Sequence, residues 1–319
     1  MDLTKLTPLE DGEALQQLSL SKSLNHLPGH SRPDENRKRK ASTAHFAGRI
    51  VRGPLKSLGL TQIVDSEDPL SHKLVVRDTE SPWDTFQSIC SCQLAGTVIV
   101  ATRRSRPSQV KAIRKYSGKE ADRVLQWFRI IRHPNILSAQ ECYRIEGALY
   151  AVVDDLPLTL EHLVSLCNIY PTEEQLSIIV KQILSGLSCL ASASLEHNAL
   201  ICSNILLGID GLVKISALES CRVRLPNQSP APILKAIGVI VMRLMQKYEK
   251  NDGLLGIDNM DRWPLDSLSV GFLTSVESAD SVKALEQHPL LTNRNRPPGD
   301  LAGLTRLILV ASKVLHLSL

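Results

Sequence analysis

Residues 203–215 of this chain carry the sequence SNILLGIDGLVKI. Two apolar triplets, residues 205–207 and 213–215, flank the pair Asp210-Gly211, which is typical of a tight turn. We therefore predict a β-hairpin at this point. It provides the reference from which the rest of the chain can be divided into strands and helices.

Hydrophobic patterns of regular structure continue on both sides of this hairpin. Four short apolar segments predict strands, and segments with an apolar spacing of three to four residues predict helices. The predicted strands are residues 96–101, 110–114, 141–145 and 148–153, and the predicted helices are residues 124–131, 174–190, 233–247 and 302–315. A β-rich part followed by a mainly helical part predicts an α+β fold.

The composition indicates a folded intracellular protein that carries a loosely structured arm. Of the 319 residues 43% are hydrophobic, which is enough for a core, whereas residues 1–80 are rich in polar and charged residues and predict a disordered arm. The seven cysteines lack the paired spacing of a zinc site, so reduced thiols are favoured over a metal or redox role for Cys90 and Cys92. We predict no signal peptide and no membrane span, because no apolar run is long enough.

A basic segment lies within the arm. Residues 32–56 contain eight basic and two acidic residues, although the whole chain has a net charge of only +4. The run Arg37–Lys40 is compatible with a nuclear import signal and equally with a solvated tail. Because aromatic residues are not interleaved with the charges, we predict no specific nucleic-acid partner. The expected location is cytoplasmic, with nuclear entry through Arg37–Lys40 as the alternative.

Several segments in the order of the chain resemble the motifs of a eukaryotic protein kinase domain, and more closely those of the PAK family of Ser/Thr kinases. Residues 133–137 (HPNIL) are similar to the turn after the kinase helix αC, and residues 203–215 resemble the end of a PAK catalytic loop with its hairpin. Similar segments also occur at residues 95–98, 110–114, 149–155, 237–239 and 284–291.

This resemblance implies a bilobal fold with a small β-rich N-lobe and a mainly helical C-lobe. The implied kinase-like domain covers residues 81–292, and a helical tail covers residues 293–319. Within the domain, the implied N-lobe spans about residues 81–153 and the implied C-lobe about residues 156–292.

The resemblance also assigns kinase roles to single positions, and most of the required side chains are missing there. A kinase needs a glycine-rich loop, a lysine held by a glutamate, a catalytic base and metal-binding side chains. In the loop, Ser91 and Gln93 replace two of the glycines. The other altered positions are Arg114 for the ATP lysine, Val124 for its glutamate, Ala199 for the base, Ile201 for a phosphate-contacting lysine and Ala217 for the metal-binding aspartate. For His197, in the catalytic loop, we expect a structural hydrogen bond.

The remaining candidates for a residual ATP pocket are Gly96, Val98, Ala112, Arg114 and Asn204. With base, metal ligand and lysine absent, the resemblance implies a pseudokinase that serves as an interaction or regulatory module in signalling. We expect no catalytic residue, no metal site and no cofactor, and a protein partner, with an active kinase among the candidates. The alternative is a Ser/Thr kinase with residual ATP binding and weak phosphotransfer through Arg114 or Lys115 together with Glu219.

Overall fold

A computed structural model describes residues 74–225, 227–293 and 296–314. The predicted arm lies outside the described residues as far as residue 73, and so does the basic run Arg37–Lys40. The first described residues already take part in the fold, because Val75–Arg77 forms a strand. Regular structure therefore begins before residue 81, where the sequence analysis placed the start of the domain.

The first part of the described chain forms a six-stranded sheet. Its strands are β1 Val75–Arg77, β2 Phe86–Gln93, β3 Thr97–Arg103, β4 Arg106–Ser117, β5 Ala139–Ile145 and β6 Ala148–Val153. The helices α1 Pro82–Thr85 and α2 Lys119–Ile130 interrupt this series. The strand order is β1-β5-β6-β4-β3-β2, and the sheet is mixed, because β1 runs parallel to β5 while the other neighbours are antiparallel.

Glu141 on β5 forms an ionic cluster that reaches Arg77 on the short strand β1. One carboxylate oxygen accepts a hydrogen bond from Arg103 on β3, and the other accepts one from the hydroxyl of Tyr143 at 2.9 Å. The Nε atom of Arg77 on β1 lies 3.9 Å from the same carboxylate. The Glu141 side chain is largely buried, so this ionic cluster is partly shielded from solvent.

The second part of the chain is mainly helical and contains two very small sheets. Its helices are α3 Leu160–Ser165, α4 Glu173–Ser192, α5 Ala231–Gln246, α6 Leu268–Ser278, α7 Val282–Glu286, α8 Pro289–Thr292 and α9 Ala302–Val314. The strands are β7 Leu158–Thr159, β8 Leu195–His197, β9 Ile205–Leu207, β10 Val213–Ile215 and β11 Cys221–Val223. Strands β9 and β10 form the predicted hairpin, and β8 pairs with β11.

Helix α4 is the central helix of this part. Thr172 and Gln175 form a capping box at its start, which satisfies two backbone N–H groups that would otherwise lack partners. Among the described helices, α4 is long and apolar enough to cross a membrane, but 61% of the relevant window is buried inside the protein. The core helix of a water-soluble protein passes the same test, so this property alone indicates no membrane span.

Asn135 connects α4 to the hairpin. Its Nδ2 atom donates to the Gln182 side chain of α4 at 2.9 Å and to the carbonyl oxygen of Val213 at 3.0 Å. The carbonyl oxygen of Asn135 also accepts the N–H of Ile215 at 2.9 Å. These buried hydrogen bonds fix the hairpin against α4 and thereby position the loops on either side of it.

The predicted α+β order is confirmed. Strand β6 and hairpin strands β9 and β10 have the predicted bounds, whereas the turn between β3 and β4 is shorter than predicted, since β3 extends to Arg103 and β4 begins at Arg106. Residues 284–291, one of the segments that resemble a kinase, do not form one helix but contain the end of α7 and most of α8. Pro289 accounts for the break, because a proline cannot donate within a continuing helix. The limits 81–292 and 293–319 stay predictions.

Candidate functional site

Arg114 is the central side chain of the candidate site. It lies on β4, is only 5% exposed, and therefore belongs to the core of the sheet rather than to its surface. Its Nη1 atom donates to the carbonyl oxygen of Ala95 at 2.6 Å, and its Nη2 atom donates to that of Leu94 at 2.5 Å. Burial lowers the pKa of Arg114 from its ordinary value. A lysine ammonium group lacks the planar fork that makes these two parallel contacts.

The two acceptors belong to the turn Leu94–Gly96, which joins β2 to β3. The N–H of Leu94 donates to the carbonyl oxygen of Gly96 at 2.9 Å, and this bond closes the turn. Gly96 has φ of 95° and Ala95 has φ of 53°, so both lie in the left-handed region. Glycine adopts such angles freely, but an alanine does so at a cost. The contacts with Arg114 help to offset that cost.

The turn places two apolar side chains among the residues that the resemblance assigns to the ATP pocket. Leu94 and Ala95 are buried in a cluster that includes Val98 on β3, Ala112 on β4 and Leu206 on β9. The other buried members of this cluster are Leu137, Val153 and Leu156. The structure thus brings the predicted pocket residues Val98 and Ala112 together, but packs them against the turn of the same chain. Gly96 remains exposed beside the Arg114 guanidinium.

The position expected for the lysine-pairing glutamate lies on α2. Val124 is fully buried there and offers no charge to Arg114. Lys115, the neighbour of Arg114 on β4, is exposed on the opposite face of the strand, where its Nζ atom lies 5.5 Å from the centre of the Tyr150 ring. Lys115 is therefore turned away from the candidate site.

Glu219 lies between α2 and the segment after β10. It belongs to the 3₁₀ helix Leu218–Ser220, and its carbonyl oxygen accepts a hydrogen bond from Arg123 of α2 at 2.7 Å. Burial raises the pKa of the Glu219 carboxyl, whereas the positive charge of Arg114 acts in the opposite direction. The Oε2 atom of Glu219 is buried and has no hydrogen-bond partner within the described residues.

His197 holds the segment that resembles a catalytic loop. Its Nδ1 atom accepts the N–H of Ala199 at 3.3 Å, so Nε2 is assigned as the donor to the carbonyl oxygen of Ser216 at 2.8 Å. Burial lowers the pKa of His197 and keeps the ring neutral. Asn204 closes the loop, because its Nδ2 atom donates to the carbonyl oxygen of Ala199 at 2.8 Å. Both side chains are thus engaged in backbone hydrogen bonds.

The remaining predicted positions offer little chemistry. Ala199 is partly exposed and Ile201 is 49% exposed, so neither hydrocarbon side chain can transfer a proton or contact a phosphate through a charge. Ala217 is buried in a left-handed conformation with φ of 53°. Within the described residues, no group of three or more His, Cys, Asp or Glu side chains is arranged to hold a metal ion.

Sequence reasoning did not identify the part that Leu94 and Ala95 play. It treated Ser91 and Gln93 as loop positions, whereas both belong to β2 and the turn begins one residue later. The available signal was the pair of apolar residues directly before the single glycine, because an apolar pair in an exposed turn is unusual. Arg114, which donates to this turn, lies 19 residues after Ala95 in the sequence. The local sequence pattern could therefore not predict this contact.

Comparisons with known proteins show that the chain is weakly similar to protein kinases. No protein-family model matches the chain. The chain is 26% identical over 234 residues to the mitogen-activated protein kinase sma-5 of Caenorhabditis elegans, an alignment that covers 67% of this chain and 45% of that protein. It is 26% identical over 130 residues to the Ser/Thr kinase Tao of Drosophila melanogaster, which covers 38% of this chain and 12% of that kinase.

A third relative is the Ser/Thr kinase PAK mbt of Drosophila melanogaster, with 30% identity over 132 residues, 40% of this chain and 20% of that protein. The alignments thus span less than half of the length of each of these relatives. This weak homology supports a protein kinase-like domain.

Proposed function

Starting from this homology to Ser/Thr protein kinases, we propose that the chain is a pseudokinase, a catalytically inactive module that binds and regulates a signalling protein. We further propose a bilobal arrangement and a relation to the PAK family, which residues 203–215 suggest most directly. The expected partner is a protein, with an active kinase among the candidates. We expect neither a specific nucleic-acid partner nor a membrane span, and a cytoplasmic location or nuclear entry through Arg37–Lys40.

The contact between Arg114 and the turn Leu94–Gly96 is the observation that carries this proposal. In an active kinase the corresponding lysine reaches the phosphates of ATP, and a glutamate of the helix that follows holds it there. Here both terminal nitrogens of Arg114 are bonded to backbone carbonyl groups, and Val124 supplies no carboxylate. This arrangement supports the proposal that a turn of the chain takes the place of ATP in the predicted pocket.

The loop positions lend further support. Phosphoryl transfer depends on positioning and on the neutralisation of phosphate charge by metal ions and cationic side chains. A positioned general base alone contributes a factor of about 10²–10⁴ in rate. Ala199 and Ala217 supply neither a base nor a metal ligand, and Asn204 is bonded to the carbonyl oxygen of Ala199. We therefore propose that ATP and Mg²⁺ are not cofactors of this protein.

One observation favours the alternative of a kinase with residual activity. The negative charge of Glu219 opposes the lowering of the Arg114 pKa by burial, and one Glu219 carboxylate oxygen is buried without a hydrogen-bond partner within the described residues. A displaced turn would leave Arg114 and Glu219 as neighbouring cation and anion in the cleft. Lys115 does not contribute to this alternative, since it is exposed on the other face of β4.

Thermal unfolding with and without ATP and Mg²⁺, together with a labelled-phosphate transfer assay, tests the proposal on the full chain. A ligand that binds only the folded state raises the Tm of a protein. Because we propose that nucleotide does not bind, we expect no increase in Tm and no transfer of label. The matched variants are Arg114→Ala and Lys115→Ala, which remove adjacent cations from opposite faces of β4. Label transfer that Arg114→Ala abolishes and Lys115→Ala retains would establish the alternative instead.

A further inference from the structure

An apolar groove lies at the surface between α5 and the end of α6. It has a volume of about 350 Å³, and the loop around Gly253 closes one side of it. The apolar side chains of the lining are Ala231, Leu234, Leu254, Leu255, Val276 and Ala279. An apolar depression of this kind on a folded surface indicates a binding site for an apolar group.

An exposed leucine stands at the rim of this groove. Leu254 is 62% exposed, although the loop around it is well held. The N–H of Leu254 donates to the Asp252 side chain at 2.9 Å, and the N–H of Gly253 donates to the carbonyl oxygen of Lys250 at 3.1 Å. The next residue, Leu255, packs so closely on α5 that a Cβ atom built on Gly238 would lie 2.3 Å from its Cδ1 atom. The exposed side chain of Leu254 therefore lies on a loop that is held by these hydrogen bonds and by the packing of Leu255.

Two opposite charges belong to the same lining. Lys235 lies on α5 and Glu277 lies on α6, and both side chains are exposed. Neither takes part in an ion pair or a side-chain hydrogen bond within the described residues. The patch thus combines an apolar projection, an apolar depression, a free cation and a free anion.

We propose that this patch, formed by the groove and Leu254, binds a second copy of the same chain in a two-fold symmetric dimer. A two-fold interface must be complementary to itself, because the same surface occurs on both sides. Leu254 of each copy fills the apolar groove of the other, and Lys235 of each copy faces the partner's Glu277. A patch with one sign of charge would instead favour an unrelated partner of opposite charge.

Reversing the charges of Lys235 and Glu277 tests this proposal. The molar mass of the full chain is measured by light scattering or sedimentation at protein concentrations from about 1 to about 100 µM. The wild-type protein should rise from its monomer mass of 35.2 kDa towards twice that value with concentration. Lys235→Glu alone and Glu277→Lys alone each place like charges opposite one another twice. Each variant should therefore dimerise at least about tenfold more weakly.

Mixing these two variants should restore association, because the mixed pair again has opposite charges at both contacts. This recovery excludes misfolding as the cause of the loss in each single variant. Leu254→Asp should also remove the dimer, whereas Leu265→Asp is the matched control, since Leu265 is similarly exposed but is not part of the groove lining.

A wild-type protein that stays monomeric over the whole range would overturn the inference, as would a mixture that associates no better than the single variants. Binding of only an unrelated protein to the groove would do the same. The inference is independent of the proposed loss of catalysis. An active phosphotransferase can form the same dimer, so the nucleotide experiment and the mass measurement fail separately.

Discussion

Arg114 satisfies two buried carbonyl groups with one guanidinium, and a single side chain thereby holds the turn Leu94–Gly96 in place. Hydrogen bonds from a charged donor contribute more than those between neutral groups. The left-handed conformation of Ala95 opposes this stabilisation. At the scale of the residue, the turn is held by long-range hydrogen bonds and not by its own backbone preference.

Arg114→Ala should lower the free energy of unfolding by about 2–6 kcal/mol, because two buried carbonyl groups lose their donors at a cost of about 1–3 kcal/mol each. Urea denaturation measures this difference. Lys115→Ala should cost about 1 kcal/mol or less, since it removes only an exposed contact between a cation and the Tyr150 ring. Equal losses for the two variants would contradict the assigned role of Arg114.

At the scale of the element, α4 and the hairpin meet at Gly186. A Cβ atom at this position would lie 2.8 Å from the carbonyl oxygen of Asn135 and 3.0 Å from the side chain of Ile215. The absence of a side chain lets the backbone of the HPNIL segment approach the helix closely. The glycine therefore serves packing, although it is a poor helix former.

Gly186→Ala should destabilise the protein by about 1–3 kcal/mol, because the close contact outweighs the better helix propensity of alanine. Gly303 offers a matched control on α9, where a Cβ atom would meet nothing within 4 Å. Gly303→Ala should therefore stabilise the protein by up to about 1 kcal/mol. Chemical denaturation of both variants checks the opposite signs, and destabilisation by both would argue against the packing explanation.

The elements differ in how well their sequence predicts them. Hairpin strands β9 and β10 have a clear apolar pattern and a typical turn, so their bounds follow from local residues. Strand β2 does not, because Phe86–Gln93 is an edge strand whose residues are mostly exposed and lack alternation. The α+β class followed from the apolar pattern, whereas Val98 and Ala112 were grouped only through the family resemblance, as candidates for an ATP pocket that stays a prediction. The packing of Leu94 and Ala95 on these residues depends on Arg114, and local pattern could not reveal it.

At the scale of the whole molecule, four histidines share one electrostatic property. Burial lowers the pKa of His133, His162, His197 and His288. In the unfolded chain each of them is free to take up a proton near its ordinary pKa of about 6.5. The unfolded state therefore binds more protons than the folded state below this pH, so acid favours unfolding.

The free energy of unfolding should be insensitive to these histidines above about pH 6.5 and should fall as the pH drops below it, by at most about 1.4 kcal/mol per pH unit for each histidine. Denaturation of wild type and His197→Gln between about pH 6.5 and 5.5 measures the share of one ring. The variant should be less stable at every pH, with a shallower slope. The carboxyl groups are the same in both proteins, so their effect on the pH dependence of stability cancels in the comparison. Identical slopes of the free energy of unfolding against pH would contradict a lowered pKa of His197.

The attachment of β1 has a mechanical consequence. Residues 1–73 join the described fold directly before this strand, so tension applied through them is transmitted first to the three residues Val75–Arg77. Their load is carried by a short parallel ladder with β5 and by the ionic contact between Arg77 and Glu141. We therefore expect β1 to detach first under force, because it is a three-residue edge strand, and the five other strands are linked to one another as a continuous sheet without it.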